Sequence, residues 1–169
     1  MLRVFRWRVK ESRLARVCEK HYILRVEAPS HRIVMTVSNG IKKLKLHLLE
    51  EKFTISKLPV FQELPQIIGN GEYCFSMRTE DELTVVTPDF MAPSNVQQEP
   101  GWRGFYIDGQ LPFQAVGLLY SLTKPLAEAG IPIFAFSTFS TDFIFIPEDM
   151  LIQAVQALQH AGHEFIHKE

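Results

Sequence analysis

The polar residues that are best placed to bind a ligand lie at a short turn between two apolar runs. Residues 140–142, which are Ser, Thr and Asp, interrupt the apolar segment 131–146, and this pattern is typical of a strand, a turn and a second strand. Gly130 can end a preceding helix, and Pro147 ends the second strand because it has no N–H for a sheet. A buried hairpin with a small polar turn favours a ligand site over an enzyme active site.

Two amphipathic helices are predicted on either side of this hairpin. Between residues 114 and 129 the apolar side chains form one stripe, with Pro125 as a local irregularity. The second helix follows Glu148 and Asp149, whose charges favour its positive end, and Gly162 terminates it. A short final strand completes the order strand, helix, strand, strand, helix, strand.

Other reactive side chains have spacings that do not fit an enzyme. His160, His163 and His167 follow an i, i+3, i+7 pattern, but Gly162 breaks the helix between them, so we expect no metal site. The turn at residues 69–71 lacks the spacing of a phosphate loop and leads into a strand. No histidine accompanies a serine or cysteine in a recognisable nucleophile motif. The sequence therefore predicts no catalytic residue, no metal and no cofactor.

The composition is typical of a soluble protein from a reducing compartment. The chain has 169 residues, of which 46% are apolar and 22% charged, enough for one domain or two small modules that share a core. No apolar run approaches the ~20 residues of a spanning helix, and residues 1–10 contain too many arginines for a secretory signal. Cys18 and Cys74 cannot form a disulfide framework. We therefore expect a cytoplasmic protein.

Charge divides the chain into a basic beginning and an acidic remainder. Residues 1–45 have a net charge of +9 and residues 46–169 one of −10. One interpretation is a basic arm that binds nucleic acid. The other is a poorly ordered extension, or residues upstream of the natural start, since Met35 closely precedes the first strong strand. We favour the extension, assigned to residues 1–42.

From residue 43 onward the chain aligns with itself at an offset of 59 residues. Identical residues occupy five of the matched positions: Gly71 and Gly130, Phe75 and Phe134, Thr79 and Thr138, Pro88 and Pro147, Met91 and Met150. The order of elements also agrees, although prolines leave the first copy without complete helices. We therefore expect a degenerate first module at residues 43–91, a linker at 92–101 and a second module at 102–169.

Three segments of the second copy carry a more specific pattern: Gly117-Leu118-Leu119, then Pro125-Leu126-Ala127-Glu128-Ala129-Gly130-Ile131, then Phe134-Ala135-Phe136-Ser137-Thr138-Phe139 followed by Thr141-Asp142. They resemble the ACT-domain family, in the branch related to the regulatory domains of aspartate kinases and to cytosolic arginine sensors. The resemblance covers about residues 43–166. It implies an α+β fold of two ferredoxin-like (βαββαβ) modules in tandem, with an amino acid bound where modules meet and no catalysis.

A free amino acid presents a carboxylate, an ammonium and a side chain, so its pocket needs an anion site, an acceptor and selective walls. The helix start near Gly117 offers unpaired amides to the carboxylate, and Asp142 can accept the ammonium. Ser137 and Thr138 can supply hydroxyl or backbone hydrogen bonds, and Phe139 can form a wall.

The resemblance assigns ligand contacts to Gly117, Leu118, Thr138, Phe139 and Asp142. It also puts Tyr120 at the position that reads a basic side chain. An uncharged phenol there does not favour a basic ligand.

These residues also have purely structural interpretations. Asp142 can bond to amides of its own turn, Thr138 and Ser137 are ordinary strand and turn residues, Phe139 can belong to the core, and Gly117 can allow close helix packing. We favour an amino-acid-binding regulatory or sensor protein, homodimeric because single modules leave a strand edge unpaired. The alternatives are a protein-interaction module with a vestigial pocket, and nucleic-acid binding through the basic arm.

Overall fold

The structure is a computed structural model that describes residues 21–28, 31–38, 43–64 and 72–166. The chain divides into two compact units between residues 41 and 42. In the first unit, β1 (His21–Ala28) and β2 (His31–Ser38) form an antiparallel hairpin. No strand was predicted in this basic segment, although its β-branched residues favour strands. Met35, considered above as a natural start, lies within β2.

The second unit is built on one sheet of seven strands. These strands are β3 (Lys45–Leu58), β4 (Phe75–Arg78), β5 (Leu83–Pro88), β6 (Gln97–Ile107), β7 (Phe134–Ser137), β8 (Asp142–Pro147) and β9 (Glu164–Ile166). Their order is β4-β5-β3-β6-β8-β7, and β9 pairs with β3. All neighbours are antiparallel except β9, which runs parallel to β3. β6 begins within the segment predicted as a linker.

Two helices cover one face of this sheet. α1 (Leu118–Glu128) and α2 (Leu151–His160) bury their apolar stripes, with Leu122, Leu126 and Leu158 fully enclosed in one cluster with residues of β3, β6 and β8. α1 continues through Pro125. The α+β class is therefore confirmed, and the elements from β6 to β9 follow the predicted order. None of the helices in the described parts of the chain has the length and apolar character needed to cross a membrane.

The opposite face of the sheet carries an aromatic cluster. The ring centroid of Phe75 in β4 lies 4.7 Å from that of Phe143 in β8 and 5.5 Å from that of Phe136 in β7. β4 and β7 are nevertheless at opposite ends of the strand order. The sheet therefore curves until its two end regions meet. Register irregularities at residues 48–52 and 53–55 of β3 are where such a bend is accommodated.

The offset of 59 residues reappears in the structure. β4 and β7 each have 4 residues, and β5 and β8 each have 6. The connecting turns match as well, because the N–H of Thr79 donates to the Glu82 carbonyl at 2.9 Å and that of Thr138 donates to the Thr141 carbonyl at 2.9 Å. The incomplete helix expected before the first strand pair of the first copy falls on residues 65–71, which lie outside the described residues.

Candidate functional site

A cleft of about 390 Å³ lies between the start of α1, the β7–β8 turn and the loop that precedes α1. All seven residues singled out from the sequence line it: Gly117, Leu118, Tyr120, Ser137, Thr138, Phe139 and Asp142. The loop before α1 adds residues that were not predicted: Leu111, Pro112, Phe113 and Ala115. The fold thus brings together two segments that are about 20 residues apart in sequence, as β7 returns beside the helix start.

The N-terminus of α1 presents backbone amides that have no partner within the helix. Gly117 has φ 82° and ψ 8°, in the left-handed region, and no side chain caps the helix. The first helical hydrogen bond runs from the Ser121 N–H to the Gly117 carbonyl at 3.0 Å. The amides of Leu118, Leu119 and Tyr120 precede that bond, so they have no partner within the helix. This end of α1 therefore carries partial positive charge beside the cleft.

The β7–β8 turn is fixed by its two threonines. The Thr138 hydroxyl donates to the Thr141 carbonyl at 2.9 Å and accepts the Thr141 N–H at 3.2 Å. The Thr141 hydroxyl donates to the Ile107 carbonyl of β6 at 2.6 Å. Both hydrogen bonds of the Thr138 hydroxyl are therefore made within the turn. The bonds of the two threonines fix the conformation of the turn and tie it to the end of β6.

Asp142 is the first residue of β8 and is half-buried. Its carboxylate makes no hydrogen bond or ion pair with the residues that the structure describes. Bonding to amides of its own turn, the structural interpretation considered above, is therefore not observed. Among the described residues that line the cleft, Asp142 is the one with a charged side chain.

Aromatic side chains form the outer wall of the cleft. The rings of Phe113 and Phe139 meet edge to face, with centroids 5.0 Å apart and an interplanar angle of 78°. Both side chains are 73% exposed, and Tyr120 is 64% exposed. Phe139 consequently does not belong to the core. Phe113 could not be predicted from the sequence because it lies in a loop without periodicity.

The two described histidines of the i, i+3, i+7 pattern bond to different backbone groups. His163 is buried, and its Nδ1 accepts the Leu44 N–H at 3.3 Å while its Nε2 donates to the Ser121 carbonyl at 3.0 Å. The His160 ring bonds to the Gln156 carbonyl at 2.8 Å. His167 lies outside the described residues. Within the described ranges, no three His, Cys, Asp or Glu side chains group as metal ligands would.

A histidine and an aspartate form a pair outside the cleft, where β3 begins and β6 ends. His47 Nε2 lies 2.9 Å from Asp108 Oδ1, and its ring stacks on Tyr106 at 4.9 Å. The Asp108 N–H also donates to the Lys45 carbonyl at 2.8 Å. These contacts join the beginning of β3 to the end of β6, and neither member of the pair is among the described residues that line the cleft.

Comparison with known proteins identifies the family. A family model described as an ACT domain matches residues 97–160. A crystal structure of a structural-genomics target from Agrobacterium tumefaciens is 30% identical over 76% of this chain and 96% of that one, with a TM-score of 0.70. The chain belongs to the ACT-domain family. This confirms the resemblance drawn from the sequence, and the matched residues contain the whole described lining of the cleft.

More distant structures share the ACT fold. A Vibrio cholerae protein of unknown function, described as a possible transport protein, is 20% identical over 72% of this chain and 91% of its own, with a TM-score of 0.58. The regulatory subunit of aspartate kinase from Thermus flavus is 14% identical over 71% and 99%, with a TM-score of 0.51. At these identities the likeness is one of fold. Membership of the ACT-domain family supports a small-molecule-binding regulatory role.

Proposed function

We propose that this ACT-domain protein binds a free amino acid in the cleft beside α1 and acts as a regulatory or sensor subunit without catalysis of its own. One observation carries the proposal: an uncapped helix N-terminus and the carboxylate of Asp142, which has no partner among the described residues, line the same cleft. An anion is stabilised at the first and a cation at the second. An amino-acid zwitterion carries both charges on adjacent groups.

The expected orientation of the amino acid follows from the opposite charges at the two ends of the cleft. The ligand carboxylate accepts hydrogen bonds from amides at the start of α1, where Gly117 leaves open space because nothing lies within 4 Å of a Cβ built there. The ligand ammonium donates to Asp142. Since the Thr138 hydroxyl is engaged in its turn, Ser137 is the better source of a further hydroxyl contact. The ligand side chain then packs against the aromatic wall.

We also propose that the second unit contains two related modules, at residues 43–91 and 102–169, joined by residues 92–101. The repeated strand lengths and turn hydrogen bonds support this. At the offset of 59 residues, Leu58 and Leu83 stand where the second module has Gly117 and Asp142. Both leucines are at most 2% exposed. The first module therefore has neither group needed for a zwitterion, and we expect one ligand per chain.

A homodimer in the cytoplasm is the proposed setting. Val116 and Tyr120, at the start of α1, are 85% and 64% exposed, and exposed apolar groups that adjoin one another favour association. A second copy seated there would enclose the ligand. Light scattering of the purified protein with its ligand should give twice the mass of the chain, and a strict monomer at high concentration would contradict the dimer.

A thermal-shift screen of the twenty amino acids tests the proposed function. A true ligand raises the free energy of unfolding by about 2.7 kcal/mol at a hundred times its Kd. The matched controls are the N-acetyl derivative and the methyl ester of each hit, which lack the ammonium and the carboxylate respectively and should give no shift. If none of the twenty shifts the melting temperature, amino-acid binding is wrong.

The same exposed aromatic wall favours a second candidate function, a protein-interaction module whose pocket is vestigial. In that case a partner would bind the rim that contains Phe113 and Phe139 with equal affinity whether or not amino acids are present. No amino acid would then shift the melting temperature in the screen, so the screen separates the two functions.

A further inference from the structure

From the charge and the walls of the cleft, we infer that its ligand is an amino acid with an uncharged apolar or aromatic side chain. This inference rests on the proposed function and adds the chemical class of the ligand. Among the described lining residues there is one carboxylate, Asp142, and no lysine, arginine or histidine.

An acidic side chain finds no counter-ion among the described residues of this cleft. Once the ligand carboxylate occupies the start of α1, aspartate or glutamate would place a second carboxylate near Asp142 without a cationic side chain to neutralise it. Two carboxylates that lie close together repel each other, and a neighbouring cation is needed to offset this repulsion. The cleft therefore discriminates against acidic amino acids by repulsion as well as by the lack of an attractive partner.

A basic side chain meets the opposite problem. Asp142 can neutralise one cation, and the ligand ammonium already takes that place. Lysine or arginine would bring a second positive charge towards a helix end that is itself partly positive. Aromatic faces can attract a cation, but this attraction is weak where the rings are exposed to water, as Phe113 and Phe139 are.

The aromatic wall fits an apolar or aromatic side chain. Phe113 and Phe139 hold an edge-to-face arrangement while they remain largely in solvent, and Leu111 adds apolar surface from the loop. Such rings gain most from a third apolar group that lies against them and removes water from all three. The wall is therefore the part of the cleft that reads the side chain.

Calorimetric titration with matched ligand pairs tests the inference. Norleucine has the four-carbon stem of lysine without its charge, and methionine has the approximate length of glutamate. Norleucine should bind at least about tenfold more tightly than lysine, and methionine at least about tenfold more tightly than glutamate, which corresponds to the factor of ten per 1.4 kcal/mol. Phenylalanine should also bind more tightly than arginine.

The opposite order would overturn the inference and leave the proposed function intact, because a charged amino acid would then be the ligand. Failure of every amino acid in the panel and in the screen of twenty would overturn both. A single variant locates the effect: Phe139→Ala should weaken norleucine by about tenfold and glycine hardly at all.

Phe90→Ala is the matched control for that variant, because Phe90 is 81% exposed and is not among the described residues of the cleft. It should leave every titration unchanged. If Phe139→Ala leaves the norleucine affinity unchanged as well, the aromatic wall does not read the side chain, and this part of the inference is wrong.

Discussion

His163 replaces a hydrogen bond that Pro125 removes from α1. The carbonyl of Ser121 would normally accept the amide of residue 125, but proline has no N–H. Nε2 of His163 donates to that carbonyl at 3.0 Å, and Nδ1 accepts the Leu44 N–H at 3.3 Å. The buried ring thereby connects the irregular turn of α1 to the segment that leads into β3.

Replacing this histidine should destabilise the second unit. His163→Ala leaves two buried backbone groups without partners, and at about 1–3 kcal/mol for each such group we expect a loss of about 2–6 kcal/mol in the free energy of unfolding. In a Pro125→Ala background the loss should be smaller by about 1 kcal/mol, because the new amide can serve Ser121. Denaturant unfolding of the four proteins measures this coupling.

The control for that cycle is His160→Ala, a change at an exposed ring that should alter stability by less than about 0.5 kcal/mol. Strictly additive effects of His163→Ala and Pro125→Ala would contradict the compensation.

Asp142→Asn should reduce ligand affinity without unfolding the protein. The change removes one charge-assisted hydrogen bond to the ligand ammonium, which corresponds to roughly 1.5–3 kcal/mol, or about tenfold to a hundredfold in Kd. Stability should change little, because the carboxylate has no partner among the described residues. Calorimetry and melting curves give the two quantities. Equal affinity would refute the ammonium role, and a large loss of stability without ligand would favour a structural role.

A pair of glycine variants separates backbone strain from ligand contact. Gly117 and Gly101 have φ of +82° and +80°, and neither has an atom within 4 Å of a Cβ built on it. Alanine at either position should cost about 1–2 kcal/mol through the left-handed backbone. Only Gly117→Ala should also weaken ligand binding, because its Cβ stands where the ligand carboxylate approaches. If both variants bind the ligand like the unmodified protein, the helix end is not the anion site.

The contribution of the Lys57–Glu82 pair should depend on pH. Nζ of Lys57 lies 2.8 Å from Oε2 of Glu82. The hydrogen bond from Lys57 holds the pKa of Glu82 below the ordinary 4.5, and a hydrogen bond from Thr84 lowers it further. The same bond to Glu82 raises the pKa of Lys57 above the ordinary 10.5. The pair therefore contributes its full stabilisation between pH 4.5 and pH 10.5, the ordinary pKa values of the two groups. It disappears as the pH falls through the lowered pKa of Glu82 or rises through the raised pKa of Lys57.

Melting curves of Glu82→Gln and of the unmodified protein test this dependence. The difference in Tm should be small at neutral pH, since both groups are exposed, and should vanish in strong acid and in about 1 M salt. A difference that grows as the pH falls below 4.5 would contradict the sign.

The division into two compact units predicts that residues 42–169 fold without the preceding basic segment. Their melting temperature should lie within a few degrees of that of the whole chain, because few contacts cross a boundary between domains. A version that starts at Met35 would cut β2 and is less suitable. A fall of many degrees would mean that the basic segment packs on the second unit.

The parts of the candidate site that depend on local backbone chemistry could be predicted from the sequence. Gly117, the 137–142 turn and the helix stripes each require particular residue types at fixed spacing, so they could be assigned without knowledge of distant contacts. The grouping of the seven predicted residues around one cleft then follows from a hairpin that returns beside a helix start.

The features that escaped prediction depend on contacts between distant residues. Nothing in the residue spacing indicates that Phe75 meets Phe143, because that contact requires the bend of β3. The same holds for two other contacts: β9 pairs with β3, and His163 bonds to Ser121. In each case nothing in the sequence of one segment indicates that it contacts the other. The β1–β2 hairpin was not predicted, because the high positive charge of this segment is more typical of an unstructured arm than of strands.

The long strand β3, of 14 residues, pairs with strands from both halves of the second unit. Near Leu46, β3 lies between β6 and β9, and near Ile55 it lies between β6 and β5. Loss of either half would strip hydrogen bonds from the strands on which the other half is built, so unfolding is expected to be all-or-none. Occupation of a single cleft at one end would then slow amide exchange throughout β4 and β5, and neither half could be transplanted alone into another protein.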